Sequence, residues 1–200
     1  DVAVLRLFRT AGDPTDLIGP AWFEEMVRDV TAIGSYAFVL LVMAASLGYL
    51  LLVRKFHLAL LLLVAQLGGI LLSNLLKYGF GRPRPDVFDH AAQVFTPSFP
   101  SGHATLSAVT FLTLGALLTR ANADRAAKIY FLAVAVVLTV LVGLSRVYLG
   151  VHYPSDVLAG WCIGSAWAAA CWGAALWLQR RGEVERPGEA PAAGNRAAGS

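Results

Sequence analysis

Five stretches of this chain, residues 34–53, 58–76, 104–119, 129–144 and 157–179, contain no charged side chain. An α-helix rises about 1.5 Å per residue, so about 20 apolar residues cross the roughly 30 Å of a bilayer's hydrocarbon. Three of the stretches meet that length, and 104–119 and 129–144 reach it by gaining a turn from their flanks. Only 14% of the 200 residues are charged and 57% are hydrophobic, whereas a soluble domain is about 25% charged. In lipid, a helix satisfies its own backbone hydrogen bonds and an open strand does not. The fold expected is therefore all-α: a polytopic transmembrane helix bundle with five spans visible.

The loops set an orientation. Arg54 and Lys55 follow the first span, Arg120, Arg125 and Lys128 follow the third, and Arg180 and Arg181 follow the fifth, which makes these the cytoplasmic ends by the positive-inside rule. Parity places residues 77–103 and 145–156 together on the opposite face. Those segments are basic as well, so they need a reason of their own. Before the first span, residues 18–33 carry Pro20, then Glu24 and Glu25 among Trp22, Phe23, Met26, Val27 and Val30, the pattern of an amphipathic interfacial helix on that same face. The organisation expected is an N-terminal interfacial segment at 1–33, a bundle at 34–179 and a disordered tail at 180–200, rich in Gly, Ala and Pro. The chain opens on Asp1, and a sixth span upstream is expected in the full-length protein. Cys162 and Cys171 stand nine residues apart in one span and read as free, buried thiols. The net charge of +3 suits basic loops beside spans, and no arginine-rich tract or RNA-binding motif points to nucleic acid.

Three polar segments fall on the outer face: KYGFGRPRP from Lys77, PSGH from Pro100, and SRVYLGVHYPSD from Ser145. A Lys or Arg beside a span is ordinarily an anchor that snorkels to headgroups. The combination asks for more. In PSGH, Ser101 is a good N-cap and Gly102 allows close backbone approach. The N–H groups of Ser101, Gly102 and His103 are expected to point outward as free donors at the positive end of a helix dipole, forming an anion seat. Lys77, Arg84 and Arg146 supply positive charge, and guanidinium forks match phosphate oxygens. His152 has Asp156 one helical turn on, so a carboxylate can hold one ring nitrogen and leave the other as a nucleophile. His103, beside the phosphate, is then the candidate to protonate a leaving oxygen. Gln66, Ser73 and Asn74 in the second span read as bonds to neighbouring helices.

Lys77-x6-Arg84-Pro85, Pro100-Ser101-Gly102-His103 and Ser145-Arg146-x5-His152-x3-Asp156 together resemble the three-part signature of the type 2 phosphatidic acid phosphatase superfamily, membrane lipid phosphatases related to bacterial acid phosphatases and vanadium haloperoxidases. The resemblance implies a metal-independent phosphomonoesterase or pyrophosphatase that needs no cofactor and works through a phosphohistidine. By that likeness His152 is the nucleophile, Asp156 its orienting partner and His103 the general acid. Lys77, Arg84, Arg146 and the backbone at Ser101 and Gly102 are the phosphate clamp. Arg82-Pro83 is a second Arg-Pro pair that departs from the motif, and Arg82 is an accessory candidate to contact the phosphate or a headgroup, or else a solvated side chain. Asp86, Asp89 and His90 match no signature position and read as surface residues. The partners implied are the membrane and a lipid phosphate, such as phosphatidylglycerol phosphate, phosphatidic acid, undecaprenyl pyrophosphate or a lipid A phosphate. The location implied is the bacterial cytoplasmic membrane with the site on the periplasmic face. Two other functions use the same residues: a lipid phosphotransferase, and a non-catalytic lipid-phosphate binding or transport protein.

Overall fold

A computed structural model describes residues 1–85 and 96–181. The five apolar stretches are all helical, and each helix is α3 to α7 of the chain: α3 (Tyr36–Leu52), α4 (Phe56–Phe80), α5 (Gly102–Ala121), α6 (Arg125–Tyr148) and α7 (Pro154–Arg180). The flanks do extend α5 and α6, to 20 and 24 residues. Helices α4 to α7 are each long and apolar enough to cross a membrane. The first span differs from expectation. Helix α3 has 17 residues and meets the criterion only together with α2 (Ala21–Ala32), against which it is bent by 48°. The break falls at Gly34 and Ser35, which the sequence places inside the span. A Cβ at Gly34 would lie 3.3 Å from the His103 ring and closer still to Val142, so the chain turns where only glycine lets it pass. Ser35 then caps α3, accepting from Phe38 N–H at 3.2 Å.

The bundle buries polar side chains among small and apolar ones and turns large apolar side chains outward. Along α4, Leu60, Val64, Leu67, Leu71 and Leu75 recur every three or four residues and are exposed, whereas Leu62, Gln66, Ser73 and Lys77 are buried. That is the reverse of a soluble amphipathic helix, as expected where lipid replaces water. Helix α5 is the central one, packed on by α4, α6 and α7. Three of its hydroxyls are satisfied close by: Thr105 Oγ1 donates to Ser101 O at 2.9 Å, Ser107 Oγ to Ala104 O at 3.1 Å, and Thr110 Oγ1 reaches both Leu106 O at 2.7 Å and Gln66 Oε1 at 2.8 Å, whereas Thr113 Oγ1 is buried with no partner among the described residues. The last bond ties α5 to α4, the role anticipated for Gln66.

Small residues let α7 close on α5. A Cβ at Gly160 would meet Ser101 O at 2.9 Å, and one at Gly164 would meet Thr105 O at 2.5 Å, so glycines four residues apart put backbone against backbone. Trp161, on the other side, donates to Thr139 O at 3.0 Å and lies over Gly143.

Two features depart from the sequence reading. Residues 1–17 fold as a short helix α1 (Val2–Arg6) and an antiparallel hairpin of β1 (Arg9–Thr10) and β2 (Asp13–Leu17), too short to show any period; Arg9 Nη1 donates to Tyr148 O at 3.0 Å and so caps α6. Cys171 is buried as expected, but Cys162 is exposed, because nine residues are two and a half helical turns and turn the two thiols to opposite faces. The expected tail lies, beyond residue 181, outside the described residues.

The glycine seam makes a prediction. Gly164→Ala should lower the melting temperature in detergent, by about 1–3 kcal/mol of overpacking. Gly48→Ala, whose Cβ meets nothing within 4 Å, should leave it unchanged or raise it. Equal melting temperatures for wild type and Gly164→Ala would contradict the close contact.

Candidate active site

The three polar segments meet at one end of the bundle, where α4 and α6 finish and α5 and α7 begin. Helix α4 ends at Gly81, whose left-handed φ of 56° caps it and sends the chain back over the bundle. Lys77, in the last turn of α4, donates from Nζ to Pro97 O at 2.7 Å. Its stem lies beside Gly102, where a Cβ would stand 3.6 Å from Cε. Arg84 donates through Nη1 to Val151 O at 2.9 Å, and through Nε and Nη2 to Thr96 at 2.9 and 3.1 Å. The same Nη1 is 3.4 Å from His152 Nε2. Arg146 lies in the last turn of α6, buried, with Nη1 donating to Thr31 Oγ1 at 3.2 Å.

His152 occupies the turn between α6 and α7 and is 2% exposed. Its Nδ1 is 3.6 Å from Asp156 Oδ2 and has no hydrogen-bond partner among the described residues. At that separation the carboxylate acts on the ring as a nearby charge. Burial, with the cations Arg146, Arg84 and Lys77, outweighs Asp156 and pushes the imidazole pKa down from 6.5 to about 3. Burial also lowers the Arg84 pKa, partly offset by Asp156; a guanidinium remains protonated regardless. The ring of His103 opens α5 within electrostatic range of Arg146, His152, Arg84 and Lys77.

Asp156 is fully buried and engaged on both oxygens. Oδ1 accepts from Arg82 Nη1 at 2.7 Å. Oδ2 accepts from Tyr153 N–H at 3.0 Å, capping α7, and from the Ser98 hydroxyl. The Asp156 carbonyl also accepts from Ser101 N–H at 3.0 Å. That last bond corrects one expectation: Ser101 N–H is spent on Asp156, and its hydroxyl caps Ala104 N–H. Only Gly102 and His103, in the first turn of α5, offer N–H groups with no preceding helical carbonyl to bond.

The residues singled out in the three polar segments are therefore together at this end of the bundle, while Asp86, Asp89 and His90 lie outside the described residues. Arg82 is present but turned to Asp156. The sequence reading missed Ser98 and Thr31. Thr31 sits in the last turn of α2, its hydroxyl 2.7 Å from Ser145 Oγ as well as bonded to Arg146. A hydroxyl on an amphipathic helix gives no sign of a partner more than a hundred residues away.

Residues 56–180 match the PAP2 superfamily. The chain belongs to that superfamily. Lipid A 1-phosphatase of Rhizobium etli is 35% identical over 168 residues, covering 72% of this chain and 68% of that one. Phosphatidylglycerophosphatase B of Bacillus subtilis is 33% identical over 150 residues, covering 74% and 73%. Among solved structures, the transmembrane PAP2-type phosphatidylglycerolphosphate phosphatase of Bacillus subtilis superposes with a TM-score of 0.74 at 30% identity, covering 85% of this chain and 82% of its own. The PAP2 chain described here is accordingly a multi-pass membrane protein, and its relatives are hydrolases of lipid phosphates.

A histidine with so low a pKa stays neutral where free imidazole titrates. In 15N spectra of histidine-labelled protein, His152 should keep a neutral-ring pattern from pH 8 to below about 5. An imidazolium pattern for it near pH 6.5 would contradict the burial described.

Proposed function

We propose that this protein is an integral membrane phosphatase that hydrolyses a phosphomonoester or pyrophosphate on a lipid headgroup through a phosphohistidine. The observation that carries the proposal is the setting of His152: a buried ring with Asp156 on the Nδ1 side and Arg84 3.4 Å from Nε2. Nε2 is the nitrogen with a free lone pair when Nδ1 holds the proton and faces the carboxylate.

The chemistry follows in two displacements. Nε2 of His152 forms a bond to phosphorus while the bond from phosphorus to the lipid oxygen breaks, and His103 gives its proton to that oxygen. A water oxygen then attacks phosphorus, the N–P bond breaks and returns its electron pair to Nε2, and His103 takes the water's proton. A monoester releases inorganic phosphate; a pyrophosphate releases it from the lipid monophosphate. Lys77, Arg84 and Arg146 stabilise charge on the equatorial oxygens, and the first-turn N–H groups of Gly102 and His103 add donors. Three fixed cations supply the charge a metal ion provides in other phosphatases. Among the described residues, no group of three or more His, Cys, Asp or Glu side chains is arranged to hold an ion.

The substrate class follows the relatives, which act on lipid A and on phosphatidylglycerophosphate. We favour a glycerophospholipid or isoprenoid phosphate entering laterally from the leaflet at the site's end. Arg54, Lys55, Arg120, Arg125, Lys128, Arg180 and Arg181 stand at the other end of the spans, which supports a bacterial inner membrane with the site on the periplasmic face.

His152→Ala should abolish phosphate release from a panel of lipid phosphates while the protein stays folded in detergent. Undiminished release would end the phosphohistidine scheme. Release without an added lipid acceptor separates hydrolysis from phosphotransfer. Activity should also persist in excess EDTA; loss on chelation with recovery on adding Mg²⁺ would sink the metal-free mechanism.

A further inference from the structure

Arg82 lies between the signature cation Lys77 and the signature pair Arg84-Pro85 and has no position of its own in the motif. Its side chain is nevertheless committed. Nη1 donates to Asp156 Oδ1 at 2.7 Å and to Ser155 Oγ at 2.8 Å, and Nη2 donates to Asp1 Oδ2 at 3.1 Å. The guanidinium carbon stands 4.2 Å from the centroid of the Tyr153 ring, and the Arg82 carbonyl accepts from Ser98 N–H at 2.8 Å. The planar fork is held on one face by a ring and at its edge by two carboxylates and a hydroxyl, in the segment that opens α7.

We propose that Arg82 is a positioning residue for the nucleophile, fixing the carboxylate of Asp156 that faces His152, and that it does not bind the substrate phosphate. The inference rests on the reading of His152 as nucleophile and adds the group that holds its partner in place. Asp156 is 0% exposed, and a buried carboxylate keeps its charge only when paired and hydrogen-bonded. Its two oxygens have distinct tasks. Oδ2 bonds Ser98 and Tyr153 and faces Nδ1 of His152, so Oδ1 is left to a partner that fixes the carboxylate plane. Arg82 is the cation within ion-pair distance of Oδ1. Since Nδ1 of His152 has no other partner among the described residues, whatever turns the carboxylate away removes the influence that selects the ring's tautomer. Arg84 is placed differently, beside Nε2, where phosphorus is attacked. Two arginines in one RPRP run thus serve opposite sides of one imidazole.

The test measures phosphate release from phosphatidic acid and from phosphatidylglycerophosphate in mixed micelles, with the full chain. Arg82→Gln should lower kcat by roughly 10–100-fold, the range typical when the outer partner of a functional histidine is lost, with KM within about twofold. Arg82→Lys, which keeps charge but not the fork, should recover part of the loss. In the Asp156→Asn background, Arg82→Gln should cost nothing further, because a residue acting only through Asp156 is not additive with it. A raised KM at unchanged kcat would make Arg82 a phosphate contact and overturn the proposal, as would wild-type kinetics or additive losses. If Arg82→Gln does not fold, Arg82→Lys is read alone by the same kcat and KM criterion. His152→Ala runs alongside: activity surviving there defeats the nucleophile assignment itself, whereas an inactive His152→Ala with a fully active Arg82→Gln defeats only the role given to Arg82.

Discussion

One buried carboxylate holds the outer end of this bundle together. Asp156 accepts from Arg82 after α4, from Ser98 before α5 and from Tyr153 at its own helix start, and its carbonyl accepts from Ser101. An anion without exposure is costly unless compensated, and removing one partner of such a pair costs about 3–5 kcal/mol. The compensation here comes at once from the segment after α4, the segment before α5 and the start of α7. The same group that ties these segments together also faces His152, so the fold and the candidate site share a charge.

The helices below make that convergence possible. Membrane helices gain little from hiding apolar side chains from lipid, so close packing and interhelical hydrogen bonds must hold them. Gly160 and Gly164 let α7 run against the backbone of α5, with Ser101 O and Thr105 O in the contact. This sets the height of Asp156 relative to Ser101. Gln66 and Thr110 fix α4 to α5 in the same way, and α4 carries Lys77 and, just past its end, Arg82.

Much of this was legible in the residues. Charge-free stretches locate the helices because a bilayer admits few alternatives, and Lys77, Arg84, His103, Arg146, His152 and Asp156 point to one end of the bundle because each segment stands at a predictable helix end. What the sequence did not reveal depends on contacts between distant segments. At the break, a Cβ on Gly34 would meet His103 and Val142, which are distant in sequence, and the hairpin at Arg9–Leu17 is too short to leave a period. Thr31, Ser98 and the orientation of Arg82 depend on where neighbouring chain segments come to rest. Ser101 N–H read as a free donor for the same reason: its acceptor, Asp156 O, lies on another helix.

The amphipathic helix α2 adds a further thread. Trp22 and Met26 are exposed on it, and its last turn presents Thr31 to Ser145 and Arg146. One short helix therefore joins an exposed apolar surface to a buried arginine of the candidate site. Chimaeras built by exchanging signature loops between relatives would have to carry this helix and the Arg82 segment with them, because a transplanted α6–α7 turn would arrive without the groups that hydrogen-bond its arginine and its aspartate.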